Sequence, residues 1–422
     1  MTKELIVIGG GAAGIMAAGR AASEGTEVIL CEKMSRLGSK IAISGKGRCN
    51  ITNAGDIRSF IENFPGNGKF LFASFKEFDN EALRNFFAEF GVETKVERGG
   101  RVFPVSDQAE AVVHALGKYA EQSGVKVRLR TKVAKILIEN NTVVGVEVEE
   151  SSGGKKKIPA GAVIVSTGGA SFPGTGSTGD GYKIAAEAGH HLIEPLPSLV
   201  PMRVLEDWPK ELQGLALKNV AVSLWAGDKK KAEEFGEMLF THFGVSGPII
   251  LTLSRFAVKE LQAGKRISLR LNMKPALREE QLDLRLQRDF AKFSNKQLKN
   301  ALNDLLPKSM IPVLIRLSQI DQDKQVHHIS RSERMRLVKL LQDLRMTVTG
   351  TLGMGAAIVT SGGVDVKEIN PATMESKLVK GLFWAGEVID IDGITGGYNL
   401  QAAFSTGFKA GKSAAQYLKT KV

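Results

Sequence analysis

A glycine pattern directly after a short apolar run is the feature that most constrains this fold. Residues 4–14 read ELIVIGGGAAG, which places Gly9, Gly11 and Gly14 in the spacing GxGxxG. In that spacing the first glycine permits a tight turn, and the second lets the backbone approach a pyrophosphate. The third lets the following helix pack closely on the strand. The pattern predicts a strand, a turn, and a helix over about 12–24 whose N-terminus faces the phosphates.

An acidic residue completes this pattern. The apolar run at 28–31 ends at Glu32, whose carboxylate is placed to accept hydrogen bonds from a ribose diol and to repel a 2′-phosphate. A lone GxGxxG is weak evidence in a chain with 46 glycines. Strand, glycines, helix, second strand and acid in this order predict a dinucleotide site in an α/β, Rossmann-like domain. The alternative is a purely structural turn.

Composition bounds the class of protein. The chain has 422 residues, so we expect two or three domains. No apolar run reaches the ~18 residues of a membrane span, and the first strand begins too early to leave room for a signal peptide. Cys31 and Cys49 form no CxxC pair, and the histidine pairs at 190–191 and 327–328 are adjacent rather than one helical turn apart. We therefore expect a cytoplasmic protein with no redox disulfide and no metal site.

The pattern of apolar and charged residues changes near 195 and again near 346. Strand-like segments and then a charged helical stretch fill the middle of the chain, and buried-strand patterns resume afterwards. We predict one dinucleotide-binding domain in two parts, residues 1–194 and 346–422, closed around an inserted domain at 195–345 that covers the substrate cleft. The insert is expected to be rich in strands first and helical afterwards, with strands at 199–205, 214–226 and 266–273 and helices within 276–343.

The inserted segment also carries most of the net charge. Residues 195–345 hold 26 Lys and Arg against 17 Asp and Glu, a net charge of +9, whereas the rest of the chain carries +3. One interpretation is a solvated basic surface, and the other is attraction of an anionic substrate or of NAD(P)H. Aromatic residues are not interleaved with the basic ones as a base-stacking platform requires, so we do not expect nucleic acid as a partner.

Two further glycine clusters have the composition of cofactor loops. Residues 35–55 combine glycines and amides with the cations Lys40 and Arg48, which suits a polyanion or the polar edge of a flavin. Residues 383–401 run from a strand to an acid, to glycines and to a helix, and ligands of α/β folds bind at such strand ends. A second GxGxxG match, at 174–179, follows no strand directly, and we interpret it as a chance match rather than a second nucleotide domain.

Five motifs together resemble one known family. They are GGGAAG at 9–14, SGKGRCNITN at 44–53, GRVFP at 100–104, THFGVSGP at 241–248, and AGE through GGYNLQ at 385–401. The chain resembles the YhiN/BaiN family of bacterial FAD-dependent oxidoreductases, within the flavoproteins related to fumarate reductase and succinate dehydrogenase. The resemblance implies non-covalent FAD, a Rossmann-like FAD domain of the two-dinucleotide-binding-domain type, and an insert of strands plus helices.

The resemblance also assigns roles along the cofactor. It implies pyrophosphate contacts from the first glycine motif, a ribose contact from the acid, an adenine contact from a backbone strand, and a helix N-terminus at the flavin N1/O2 edge, where reduced flavin carries negative charge. The residues implied are Gly9, Gly11, Ala13 and Gly14 for the pyrophosphate, Glu32 for the ribose, Val133 for the adenine, and Asn399, Leu400 and Gln401 for the flavin edge. Lys40, Gly45, Arg48, Cys49 and Asn50 are assigned to the flavin end, Thr167 and Gly168 to the dinucleotide, and Gly386 and Glu387 to the ribityl chain and pyrophosphate. Further cofactor candidates are Ala12, Lys33, Gly38, Gly47, Gly169 and Asp392.

The sequence identifies no catalytic acid or base, because the flavin itself carries the redox chemistry. His242, Arg101 and Cys49 are the catalytic candidates, each with a structural role as its alternative. The first expectation is NAD(P)H-linked reduction of an activated C=C bond in a small organic substrate, with NAD(P)H bound transiently over the flavin. The alternatives are an oxidase of a small amine or aminoketone, and a non-catalytic flavoprotein that binds RNA or a partner through the basic insert. Substrate and oligomeric state stay open.

Overall fold

The computed structural model describes residues 3–149 and 154–420, which form two compact units. The first combines Met1–Pro197 with Ala357–Val422, and the second is Ser198–Ala356. The second unit runs past position 345, where the sequence suggested a boundary. It does so because the strand Leu344–Thr351 pairs with strands of that unit.

The first unit is built on a parallel sheet. Its strands, in chain order, are β1 (Leu5–Ile8), β2 (Val28–Cys31), β6 (Lys126–Arg128), β10 (Ala162–Val165) and β19 (Leu382–Trp384). Their spatial order is β19-β10-β1-β2-β6, with every adjacent pair parallel. All residues of β1, β2, β10 and β19 are buried, as in a parallel sheet covered on both faces. The predicted α/β class is confirmed.

Smaller sheets surround this one. Strands β3 (Thr52–Asn53), β5 (Arg101–Pro104) and β4 (Thr94–Glu97) form an antiparallel sheet in that order. Strands β7 (Lys132–Glu139), β8 (Thr142–Glu149) and β9 (Lys155–Pro159) form a second. Strand β11 (Leu192–Ser198) pairs with β18 (Val359–Val364).

Two helices of the first unit pack closely through glycines. They are α1 (Ala12–Ser23) and α14 (Tyr398–Thr420). A Cβ added at Gly407 would lie 2.3 Å from the carbonyl oxygen of Ala13, and one at Gly411 would lie 2.3 Å from that of Ala17. Only glycine permits this approach. The other helices of the unit are α2 (Ser39–Ile43), α3 (Ile57–Glu62), α4 (Phe72–Glu77), α5 (Asn80–Glu89), α6 (Ala109–Gln122) and α7 (Asp180–Glu187).

The second unit is a closed antiparallel barrel followed by helices. The barrel order is β12 (Met202–Val204), β15 (Gly244–Ser246), β14 (Lys229–Thr241), β13 (Ala216–Ala226), β16 (Ile267–Asn272) and β17 (Leu344–Thr351). Its helices are α8 (Trp208–Glu211), α9 (Pro248–Gln262), α10 (Glu279–Lys292), α11 (Leu298–Ala301), α12 (Met310–Ser318) and α13 (Arg331–Gln342). Inward-facing residues of the barrel alternate along β16, where Ile267, Leu269 and Leu271 are fully buried.

Two local predictions from the sequence differ from the structure. An aspartate ahead of the helical spacing of Val112, Val113 and Leu116 predicts Asp107 as a helix N-cap, but α6 begins at Ala109 with Gln108 as its N-cap. The Asp107 carboxylate instead accepts hydrogen bonds from Arg48 and Lys95, and this pairing holds it away from the helix end. The apolar run at 356–360 predicts a strand from 356, but β18 begins at Val359, after a short 3₁₀ turn. Among the described residues, no helix is both long and apolar enough to cross a membrane.

Candidate cofactor site

A crevice opens where three parallel strands end. Strands β1, β2 and β10 stop side by side, so the residues that follow them meet at one edge of the sheet. The crevice is lined by Ile8, Gly9, Cys31, Glu32, Lys33, Thr131, Lys132, Val133, Thr167, Gly176 and Asp180. The structure thus brings together residues that the sequence analysis selected separately, including Glu32, Val133 and Thr167.

The three fingerprint glycines have three different environments. Gly9 has φ +103°, a turn that favours glycine. A Cβ at Gly14 would lie 1.8 Å from the Gly9 carbonyl oxygen, so this position requires glycine for packing. Gly11, the N-cap of α1, has no atom within 4 Å of its added Cβ, so its backbone is open to a ligand. Ala12 and Ala13 form the first turn behind it, where backbone N–H groups have no hydrogen-bond acceptor within the helix.

Glu32 is fixed by the backbone. Its side chain is buried, and Oε2 accepts a hydrogen bond from the N–H of Gly10 at 2.6 Å while Oε1 accepts one from Met34 at 2.7 Å. Each carboxylate oxygen has two acceptor positions, so the group can still accept from a sugar hydroxyl. Gly38 donates its N–H to the Gly10 carbonyl at 2.8 Å, which ties the next loop to the same turn.

The cluster set aside as a chance match folds against this crevice. Gly176 lines it, and the Lys33 ammonium donates to Asp180 at 2.5 Å and to the Thr178 hydroxyl at 2.5 Å. Burial raises the pKa of Asp180, but the hydrogen bond and charge of Lys33 offset this and hold it below its ordinary value. Sequence reasoning missed Gly176 and Asp180, because nothing local signals a pair 147 residues apart.

A second cluster joins the long loop to the far end of the chain. The Lys40 ammonium donates to the Glu387 carboxylate at 2.8 Å and to the Ser171 hydroxyl at 2.7 Å. Glu387 also accepts from the N–H of Thr360 at 2.7 Å. Gly169 lies against this cluster, since its added Cβ would be 2.4 Å from the Thr360 hydroxyl. The neighbouring Gly168 has φ +72°.

The C-terminal corner reaches the fingerprint directly. Gly386 has φ +75°, and its added Cβ would stand 2.8 Å from the Cβ of Ala13. Its N–H donates to the Thr406 hydroxyl at 2.9 Å, which fixes it to α14. Asp392 is buried a few residues further on. The two ends of the predicted cofactor pattern therefore lie next to each other in the first unit.

Side chains at the start of α14 hold the corner together. Asn399 accepts from the N–H of Gly393 at 2.8 Å and donates to the Gly393 carbonyl at 2.9 Å. The buried Gln401 amide accepts from Thr52 at 2.6 Å and donates to Ser405 at 2.9 Å. Leu400 is partly buried against the core. The Gln401 side chain thus holds α14 to β3 and within the protein through hydrogen bonds.

The loop at 44–50 has an unusual backbone. Gly45, Lys46, Gly47 and Cys49 all have positive φ, which turns the chain tightly beside β5. The Oδ1 atom of Asn50 is buried and has no hydrogen-bond partner among the described residues. Such an atom is costly unless a ligand or water supplies a donor.

Two residues assigned to the flavin end, Arg48 and the catalytic candidate Cys49, are engaged or enclosed by the protein itself. The Arg48 guanidinium, assigned to the flavin end, is held by Glu97 and Asp107. Cys49 is fully buried, and burial raises the pKa of its thiol to about 12, so little thiolate is expected at neutral pH. His242 is exposed in the second unit, at the tip of the two-residue turn between β14 and β15. Among residues 3–149 and 154–420, no group of acids, histidines and cysteines could hold a metal ion.

Solved structures share this fold. The chain is 17% identical to the open conformation of a flavocytochrome c3 fumarate reductase, with a TM-score of 0.53, covering 99% of this chain and 78% of that one. It is 15% identical to the 3-ketosteroid-Δ4-(5α)-dehydrogenase of Rhodococcus jostii RHA1, with a TM-score of 0.53, covering 98% and 97%. At these identities the likeness establishes the fold.

Curated relatives are closer in sequence. The chain is 33% identical to the 3-dehydro-bile acid Δ(4,6)-reductase of Clostridium scindens, over 97% of this chain and 98% of that one. It is 33% identical to the ribosomal RNA dihydrouridine synthase of Escherichia coli, over 96% of both chains. The family model described as the HI0933-like protein Rossmann domain matches residues 3–413. The chain therefore belongs to the HI0933-like Rossmann family, which confirms the resemblance seen in its motifs.

Proposed function

We propose that this chain is an FAD-dependent oxidoreductase that reduces a C=C bond conjugated to a carbonyl group. The observation that carries the proposal is the joined site, in which Gly386 contacts Ala13 beside the crevice that contains Glu32. A Δ4,6-reductase acts on a dienone, and dihydrouridine is uridine with its C5=C6 bond reduced. Both relatives are thus named for adding hydrogen to an unsaturated carbonyl compound.

The described residues fit FAD. Glu32 would accept the adenosine ribose hydroxyls, and the open backbone at Gly11 with the first turn of α1 would hold the pyrophosphate. The unpaired Asn50 oxygen would receive a donor from the flavin edge. The N-terminus of α14 would place partial positive charge beside the flavin. When bound, FAD supplies hydride transfer from its N5 position.

The cofactor proposal is tested by releasing the cofactor with acid and identifying it by chromatography. We expect FAD; FMN alone, or no flavin, would contradict the proposal. Glu32→Ala should weaken FAD binding by roughly 1.5–3 kcal/mol, the contribution of a charged hydrogen bond. Glu27→Ala is the matched control, because the Glu27 carboxylate is exposed and paired with Lys126.

NAD(P)H is proposed as the dissociable reductant. Anaerobic addition of NADH and of NADPH should bleach the flavin, and the rate should fall with ionic strength if the net charge of +9 on the second unit attracts the coenzyme. Peroxide formation with an amine and no bleaching by either coenzyme would favour an oxidase instead.

Ribosomal RNA is the second candidate substrate beside a small organic molecule. The observation in its favour is the basic second unit, since neutralising phosphates with Lys and Arg is the main source of affinity for RNA. The deciding assay supplies reduced enzyme with unmodified ribosomal RNA in one arm and a Δ4,6-3-oxo bile acid in the other. Dihydrouridine in the RNA, or loss of the dienone absorbance, identifies the substrate class.

A further inference from the structure

Arg101 projects from a turn that is fixed to both loops at the flavin end of the proposed site. It is the first residue of β5 and pairs directly with Asn53 of β3. The Asn53 amide donates to the carbonyls of Gly99 and Gly396, each at 3.0 Å. A Cβ at Gly100 would lie 2.5 Å from the Asn53 Oδ1, so the turn before Arg101 fits tightly against that side chain.

A second contact links Arg101 to the loop at 44–50. The Phe103 ring lies 5.8 Å from the Arg101 guanidinium and 4.1 Å from that of Arg48. The same ring is 3.4 Å from the Cβ that would be added at Gly45. Arg101 is therefore connected independently to the glycine loop and, through Asn53, to the Gly396 corner.

The neighbouring acids are already neutralised by other cations. Both oxygens of Glu97 accept from Arg48, and Asp107 accepts from Arg48 and from Lys95 at 2.6 Å. Arg101 donates from Nε to the Arg98 carbonyl at 3.1 Å, and its terminal nitrogen is 4.0 Å from Glu97. Its side chain is 44% exposed. The cluster of Lys95, Arg48, Arg101, Glu97 and Asp107 thus holds one cation in excess. Arg101 is the most exposed of its three cations, since the side chains of Lys95 and Arg48 are each 35% exposed.

From this placement we propose that Arg101 binds an anionic group of the substrate, a carboxylate or a phosphodiester, at the flavin end of the site. The proposal rests on the proposed function for the position of the flavin. A guanidinium suits both groups, since it presents a planar fork of donors to two oxygens. An unsaturated bile acid carries a carboxylate, and an RNA strand carries phosphodiesters beside each base.

Binding to the FAD-loaded protein tests this without turnover. Equilibrium dialysis would compare a Δ4,6-3-oxo bile acid with its methyl ester, and a uridine-containing oligonucleotide with the same oligonucleotide carrying neutral methylphosphonate linkages. For whichever charged ligand binds, Arg101→Gln should weaken its binding about ten- to a hundred-fold and leave the neutral counterpart unchanged. Arg101→Lys should keep part of the preference. Arg58→Gln, which removes an exposed arginine of the same unit, should have no effect.

Other results of these experiments would overturn the proposal. Equal loss of charged and neutral ligand in Arg101→Gln, or no preference for charge in the wild type, would overturn the role of Arg101. If neither substrate class binds, the proposed substrates fail, and sulfate serves as the probe. Sulfate should perturb the flavin absorbance of the wild type and not of Arg101→Gln, whereas identical responses would overturn the anion site itself. Slower flavin reduction by NAD(P)H with unchanged substrate binding would assign Arg101 to the coenzyme and overturn the proposal.

Discussion

The Lys40 ammonium donates to the Glu387 carboxylate at 2.8 Å and so joins segments 347 residues apart. The two side chains are 27% and 18% exposed, and Ser171 bonds to both. A pair of this kind differs from a surface ion pair, because removing one partner leaves the other charge in a poorly solvated place.

Lys40→Met should therefore lower the free energy of unfolding by about 1–3 kcal/mol. Urea unfolding of wild type and variant measures the difference. Lys126→Met provides the control, since Lys126 pairs with Glu27 where both side chains are more than half exposed. That change should cost no more than about 1 kcal/mol, and equal losses in the two variants would contradict a stabilising role for the Lys40–Glu387 pair.

Two glycines of the fingerprint, Gly11 and Gly14, should respond differently to substitution by alanine. Gly14→Ala places a methyl group 1.8 Å from a backbone oxygen, so we expect loss of folded, soluble protein. Gly11→Ala points into open space, so we expect an unchanged melting temperature of the apoprotein with weakened FAD binding. Circular dichroism and FAD titration separate the effects. Normal FAD affinity in Gly11→Ala would mean that the pyrophosphate lies elsewhere.

Both cysteines should resist thiol reagents in the folded protein. Burial raises the pKa of Cys31 to about 11 and that of Cys49 to about 12, so thiolate is scarce at pH 8 and access is blocked. We expect no labelling by iodoacetamide at pH 8 in buffer and two labels per chain in guanidinium chloride, counted by mass spectrometry. Rapid labelling of Cys49 in the native protein would show that the loop at 44–50 opens.

The start of α13 should make the second unit acid-sensitive. Hydrogen bonds from Lys324 and from the Ser330 backbone lower the pKa of Glu333 from 4.5 to about 2. A depressed carboxyl pKa stabilises the folded state above pH 4.5, and this stability is lost as pH falls toward 2. Glu333→Gln should cost about 1 kcal/mol at pH 7, and its difference from wild type should shrink below pH 4.5. Glu62→Gln, at an exposed pair with Arg58, should show no such pH dependence in thermal unfolding.

Local signals explain what the sequence predicted well. The first helix was expected over 12–24 and spans Ala12–Ser23, because apolar spacing and glycines act within a few residues. Strand β14 was missed, since Lys229–Thr241 begins KKKAEE, a polar run with no alternation. Its pairing with β13 and β15 makes it a strand, and that pairing is a tertiary property.

In the candidate site, too, local sequence identifies some residues, and tertiary contacts alone identify others. Glu32 could be selected because it follows a buried strand, whereas Asp180 enters the crevice only through its pair with Lys33. Arg48 was placed at the flavin on its charge and motif. Its two carboxylate partners, Glu97 and Asp107, come from other elements and were not expected there.

The first unit consists of two stretches of sequence separated by the whole second unit, and this has a consequence during synthesis. Every strand of the barrel is available to pair once residue 356 has left the ribosome. At that moment β10 still lacks its neighbour β19, and the glycine-lined contact of α1 with α14 does not yet exist. The apolar surfaces of α1 and β10 are therefore not covered by α14 and β19 while the barrel segment is translated. A nascent chain paused before residue 382 is the species in which those surfaces would be open to a chaperone.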